Sequence, residues 1–206
     1  MVKHLLQLFR WKNLLIAGGT VLLTKYAIFE PAIKTLFPLS ASTLSFFETL
    51  LLAISVMLIA AGGYVINDIN DVKADEINKP SKVIIGKYIS TKFAEFTYII
   101  LTALGLLTAA FVGEIAGNYR LMILHTLVAG ILWIYSKYVK NTFLLGNILV
   151  AVASSAVVLT YFIFESLGYI KAYGDILQIN FKAILGGPLS TLWLYSIGLA
   201  IFGFVL

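Results

Sequence analysis

Four acids, Asp68, Asp71, Asp75 and Glu76, fall within nine residues directly after a long apolar run, in a chain with only ten acids among 206 residues. On a continuous helix Asn67, Asp71 and Asp75 lie four residues apart and stack on one face, with Asp68 beside them. Neighbours on such a face are about 5–6 Å apart, so their charges repel unless a cation sits among them. Oxygen-only ligands suit a hard ion, and magnesium is the expected one. It keeps part of its water shell and takes one or two carboxylates together with substrate phosphates. A calcium EF-hand fails the count: from Asp68 or from Asp71, the sixth position is not glycine and the twelfth is not glutamate. Zinc is disfavoured, because the chain has no cysteine and its two histidines, His4 and His125, lie far from the motif.

Lysines follow the acids at Lys79, Lys82, Lys87 and Lys92. Metal on one side and ammonium groups on the other would bridge an anion, and diphosphate fits best. In a membrane, the rest of such a substrate is expected to be a lipid chain. Coordination would stabilise departing diphosphate, so that an allylic carbon–oxygen bond ionises. Aromatic faces such as Tyr64, Trp133, Tyr135 and Tyr161 are candidates to shield the cation. Blander roles stay open beside these. The lysines equally serve topology or anionic lipid, the aromatics equally serve packing or interfacial anchoring, and the acids could be a solvated helix end. His4 and His125 read as hydrogen-bonded structural residues, and Gly113 with Gly117 as a packing motif.

The elements that position these residues are membrane helices. The chain is 60% hydrophobic and 12% charged, with a mean hydropathy of +0.96. That charged fraction is about half the globular norm, and one soluble core of this length could not hide so much apolar surface. An all-α, polytopic transmembrane bundle is expected, multi-pass in the cell's inner membrane. Met1 to Lys12 is basic and precedes a first span from Leu14 to Phe29, which Lys25 interrupts and no cleavage site follows. Glu30-Pro31 and Pro38 bracket a short loop. Further spans run over Ser42–Ile66, Phe93–Val112, Leu121–Tyr138 and Phe143–Phe164, each near the ~20 residues a crossing needs. Glu165 to Pro188 reads as an extended loop, with Asp175 a loop charge, and Leu189–Leu206 as a sixth span. There is no internal repeat.

Alternate loops differ in charge. One side collects Lys3, Arg10, Lys12, Lys73, Lys79, Lys82, Lys87, Lys92, Lys137 and Lys140; the other has Lys34, Arg120, Lys171 and Lys182. The positive-inside rule then turns the acidic motif to the cytoplasm. Net charge +5 is thus a topological signal, and no nucleic-acid partner is expected.

Asn67-Asp68-x-x-Asp71-x-x-x-Asp75 resembles the first aspartate-rich motif of the UbiA-type intramembrane prenyltransferases. Arg10-x-x-Asn13 opens the first helix as in that family. Asn78-Lys79-Pro80-x-Lys82, with Gly86 and Ile89-Ser90, resembles the loop after the motif. Tyr135-Ser136, then Lys140 and Gly146-Asn147, resembles its turn between the fourth and fifth helices. The resemblance implies a bundle of nine spans, about six of them present here, around a lipid-open cavity. It implies a transferase of isoprenoid metabolism: magnesium-dependent transfer of a polyprenyl group from polyprenyl diphosphate to an aromatic, quinone-ring, tetrapyrrole or isoprenylglycerol phosphate acceptor. The lysine-proline loop leans slightly toward the members acting on geranylgeranylglyceryl phosphate. By that likeness Asn67, Asp68, Asp71 and Asp75 hold magnesium and diphosphate, and Asp68, Asp71 and Asp75 carry the catalysis. Lys79, Lys82 and Lys140 contact phosphate, while Asn13, Tyr135 and Asn147 line the substrate pocket.

One departure stands out. The family has a second aspartate-rich motif, yet beyond residue 150 the acids are Glu165 and Asp175 alone. Residues 1–206 are therefore expected to be one such domain, cut short at its C-terminus and with little or no transferase activity alone. Two readings from other classes compete, an ion-coupled transporter using Asp68 and Asp71, and a non-catalytic membrane scaffold. Transporters place such acids near the midplane within repeated halves, which this chain lacks.

Overall fold

The computed structural model describes residues 1–140, 142, 144–177 and 194, with the backbone alone at residues 82 and 175–177. Six helices occur in this part: α1 (Val2–Leu8), α2 (Trp11–Leu36), α3 (Phe46–Asn78), α4 (Thr91–Ile115), α5 (Tyr119–Val139) and α6 (Leu145–Leu177). Five of them, α2 to α6, are long and apolar enough to cross a membrane. The chain is an integral membrane protein, a polytopic all-helical bundle. The sixth expected span, Leu189–Leu206, lies outside the described residues.

Helix α3 is the axis of the bundle. Its start is fixed by a capping box, in which the Ser45 hydroxyl accepts from the Glu48 N–H while the Glu48 carboxylate accepts from the Ser45 N–H. At 33 residues it is about 50 Å long, well beyond the ~30 Å hydrocarbon core. Its last turns therefore emerge from the apolar layer, and they carry Asn67 to Asp75. The helix does run through the whole acidic stretch, as the four-residue spacing requires.

Helix α4 packs closely along α3. A Cβ on Gly105 would sit 2.9 Å from the Ile59 side chain and 3.2 Å from the Ser55 carbonyl, so a small residue sets the approach. Gly113 and Gly117 do pack closely, since a Cβ would lie 2.9 Å from Asn118 O at Gly113 and 2.7 Å from the Lys171 side chain at Gly117, and they also shape the helix end. The Asn118 N–H bonds to Gly113 O at 2.7 Å and the Gly117 N–H to Glu114 O at 3.0 Å. Gly117 has φ +103°, which completes a left-handed helix stop.

Two expectations are corrected. Glu30-Pro31 is no loop: α2 widens into a π turn over Thr24–Phe29 and resumes as an α-helix at Glu30. The wider turn accommodates a ring that lacks an N–H. Glu165 likewise begins no loop, since α6 continues to Leu177 and includes the backbone of Asp175. Glu165 is fully buried and binds inward, while a Cβ on Gly168 would lie 2.5 Å from Thr43 Oγ1, so the helix hugs the α2–α3 connection.

The spans alternate in direction. One end gathers the N-terminal segment, the 79–90 segment and Lys140 after α5; the other gathers residues 37–45 and 116–118. At the first end, Leu8 of α1 packs with Val65, Ile85, Ile89 and Ala94. At the second, a larger core of Phe29, Ile33, Leu44, Tyr161, Phe164 and Tyr169 closes the bundle.

Candidate functional site

A cavity of about 480 Å³ lies between α2, α3, α5 and α6. Its mouth is polar, with Arg10, Asn13, Tyr64, Asn67 and Tyr135, and its interior is apolar, with Ile16, Val56, Ile59, Val128, Leu132 and Val157. Helical spacing produces this split: Tyr64 and Asn67 continue, toward the α3 C-terminus, the stripe that Val56, Ile59, Ala60 and Gly63 begin. His125 and Thr160 reach the wall deeper in.

The acids of the motif sit one hydrogen bond behind this mouth. Asp68 Oδ1 accepts from Arg10 Nη2 at 3.0 Å. The Arg10 guanidinium also lies 4.6 Å from the Tyr64 ring centroid, and Asn13 Nδ2 donates to Tyr64 OH at 3.3 Å. Arg10 is the N-cap residue before α2, with φ 51°, the left-handed conformation. A non-glycine residue held there is strained, a condition that clusters at functional sites. Asp71 accepts from Asn67 Nδ2 at 2.9 Å and is ion-paired with Lys140. Both pairs are partly open to solvent, with side-chain exposures of 43% and 26% for Arg10–Asp68 and 18% and 22% for Lys140–Asp71.

The structure thus brings together Asn13, Asn67, Asp68, Asp71, Tyr135 and Lys140. Asp75 lies one turn farther along, half-buried, and makes no ion pair among the described residues. Lys79 is exposed and donates its backbone N–H to Asp75 O at 2.8 Å. The side chain of Lys82 lies outside the described part. Asn147 is in the first turn of α6 and is absent from the described cavity wall. Of the four candidate aromatic shields, Tyr64 and Tyr135 line the cavity. Trp133 faces outward against Tyr138 and Lys137, and Tyr161 is buried at the far end, bonded to Glu165 at 3.2 Å.

Sequence reasoning gave no role to two side chains beside the site. Asn70 Nδ2 donates to Ser136 Oγ at 2.7 Å, and Ser136 Oγ donates to Ile66 O at 3.1 Å. Nothing in the spacing of Asn70 marks it, because its partner lies 66 residues away.

Among the described residues no three acids or histidines converge as a ready metal cage. The donor set still fits magnesium. Asn67 and Asp71 touch one turn apart, and Asp68 and Asp71 are acceptor-only oxygens held by exchangeable cations. An ion that takes one or two carboxylates plus substrate phosphates needs no protein-only cage.

This chain belongs to the UbiA prenyltransferase family, whose profile matches residues 33–206. A digeranylgeranylglyceryl phosphate synthase of Methanosarcina mazei is 31% identical over 184 residues, covering 89% of this chain and 62% of that protein. Its counterpart in Sulfolobus acidocaldarius is 39% identical over 100 residues, covering 48% of this chain and 34% of that protein. The chain thus spans less than two thirds of the length of either relative. A solved structure, described as giving structural and mechanistic insights into the biosynthesis of digeranylgeranylglyceryl phosphate synthase in membranes, superposes with a TM-score of 0.64. It is 28% identical, and the match covers 79% of this chain and 53% of that one.

Proposed function

We propose that this chain acts in the magnesium-dependent transfer of a polyprenyl group from its diphosphate to a lipid acceptor, with geranylgeranylglyceryl phosphate the favoured acceptor. The observation that carries this reading is a cavity, apolar inside and bounded at its mouth by Arg10 and Asn67, with the ion-paired Asp68 and Asp71 one hydrogen bond behind. An amphiphile with an anionic head and a hydrocarbon tail matches both halves. The names of the similar synthases favour the glycerol phosphate acceptor over an aromatic ring.

Asn67, Asp68 and Asp71, with Asp75 behind them, would hold magnesium. The bound ion would neutralise charge growing on the departing diphosphate. The chain's own groups do the rest. Arg10 and Lys140 exchange their carboxylate partners for phosphate oxygens, which charge-assisted hydrogen bonds favour. Lys79, Lys82 and Asn147 are assigned supporting phosphate and pocket contacts. The apolar cavity takes the tail and excludes water from the reacting carbon. The Tyr64 and Tyr135 rings stand at the mouth, where an allylic cation would form. The loop charges orient this end to the cytoplasm, where water-soluble magnesium is available.

The test is magnesium-dependent binding of geranylgeranyl diphosphate, comparing the wild-type chain with Asp71→Asn. The proposal expects binding that needs the metal and weakens at least about tenfold in the variant. Ion-coupled uptake lost in Asp71→Asn would instead favour a transporter, and indifference in both assays a scaffold.

A further inference from the structure

Helix α5 does not end as an α-helix. Over Tyr135–Val139 it opens into a π turn, and the Lys140 N–H bonds to Tyr135 O at 3.0 Å, five residues back. Each residue of an α-helix turns the chain by about 100°, so one extra residue in the turn shifts the phase of everything after it by about that much. Lys140 is the residue after it. Its ammonium is therefore aimed by the π turn, and it reaches Asp71 on α3.

Ser136 holds that turn against α3. The side chain is fully buried, and both capacities of its hydroxyl are used. The proton goes to Ile66 O at 3.1 Å, while the oxygen accepts from Asn70 Nδ2 at 2.7 Å. Both partners lie in the turns of α3 that carry the motif. Ile66 immediately precedes Asn67, and Asn70 immediately precedes Asp71. One hydroxyl thus fixes the π turn to a backbone carbonyl and a side-chain amide of the two residues next to the proposed ligands.

We propose that Ser136, with Asn70, is a positioning residue: it sets the phase of the π turn and so holds the Lys140 ammonium where it meets the diphosphate of a prenyl donor. This rests on the functional reading above and adds to it residues that touch neither metal nor substrate. Removing the hydroxyl frees the turn to rewind as an α-helix, which would carry Lys140 around the axis and away from Asp71. The tail cavity, whose apolar walls are built by other residues, would be unchanged.

Two ligands separate positioning from plain stability. Geranylgeranyl diphosphate engages Lys140, whereas geranylgeraniol has the same tail and no phosphate. Their affinities are measured on the full chain in detergent with magnesium. In the wild type the diphosphate binds more tightly than the alcohol; equal affinities there overturn the functional reading itself. Given that preference, Ser136→Ala weakens diphosphate binding about tenfold and leaves the alcohol unchanged. Asn70→Ala, at an exposed position that perturbs no core, moves the same ratio by a smaller factor. The double variant Ser136→Ala/Lys140→Ala is no weaker than Lys140→Ala alone, because both changes remove one contact. The proposal is overturned if Ser136→Ala and Asn70→Ala leave the ratio at its wild-type value, if both ligands weaken together, or if the effects of Ser136→Ala and Lys140→Ala add.

Discussion

The two ends of the bundle use the same chemical groups for opposite ends. At the far end Glu165 is fully buried, and its carboxylate is saturated. It accepts from the Thr43 N–H, from Thr43 Oγ1 at 2.8 Å, from the Leu44 N–H at 3.0 Å and from Tyr161 OH at 3.2 Å. Lys25 is buried beside it, donating to Ser42 Oγ at 3.1 Å and to Leu44 O, with Glu30 3.6 Å away. The contacts to Ser42, Thr43 and Leu44 tie the 37–45 connection to α2 and α6. At the motif end Asp68 and Asp71 meet Arg10 and Lys140 in pairs that solvent still reaches. A saturated, dry acid is a fastening. An acid paired with a cation at a wet mouth can surrender that cation to a better anion.

Breaking each end in turn sharpens the contrast. Glu165→Ala has the largest expected effect, because it strands four donors in a dry site. Destabilisation of about 3–5 kcal/mol follows, read as a lowered thermal midpoint in detergent. Lys140→Ala leaves that midpoint in place, since a partly exposed pair contributes about 1 kcal/mol or less, but weakens geranylgeranyl diphosphate binding about tenfold. Arg10→Lys keeps the charge and loses the planar group over Tyr64. A loss of affinity of a few-fold is expected, because a guanidinium reads phosphate in pairs and an ammonium does not. Tyr64→Phe removes only the Asn13 hydrogen bond, and a change of about 0.5 kcal/mol in ligand binding, the low end for one neutral hydrogen bond, is the smallest of the series. If Glu165→Ala instead abolished ligand binding at an unchanged thermal midpoint, the division of labour between the ends would be wrong.

Much of the motif end was legible in the residues. The four-residue spacing of Asn67, Asp71 and Asp75 required a continuous helix, and a 33-residue helix runs through them. Arg10, Asn13 and Lys140, far apart in the chain, do converge there. The far end was less legible. Glu165 follows an apolar run, and an acid there ordinarily signals a loop. Its burial depends on the N–H groups of Thr43 and Leu44, whose direction no local pattern records. Pro31 misled in the same way, since the helix runs on through it after a π turn. The phase of Lys140 was hidden too, because a π turn is a tertiary consequence of Ser136 meeting Ile66 and Asn70.

The most direct test of the central claim is an equilibrium titration of geranylgeranyl diphosphate into the wild-type chain, with magnesium and with chelator, and into Asp71→Asn with magnesium. Binding should be tight only for the wild type with metal, and weaker by about tenfold or more in the other two. The same affinity in all three would contradict a metal-held diphosphate at this mouth.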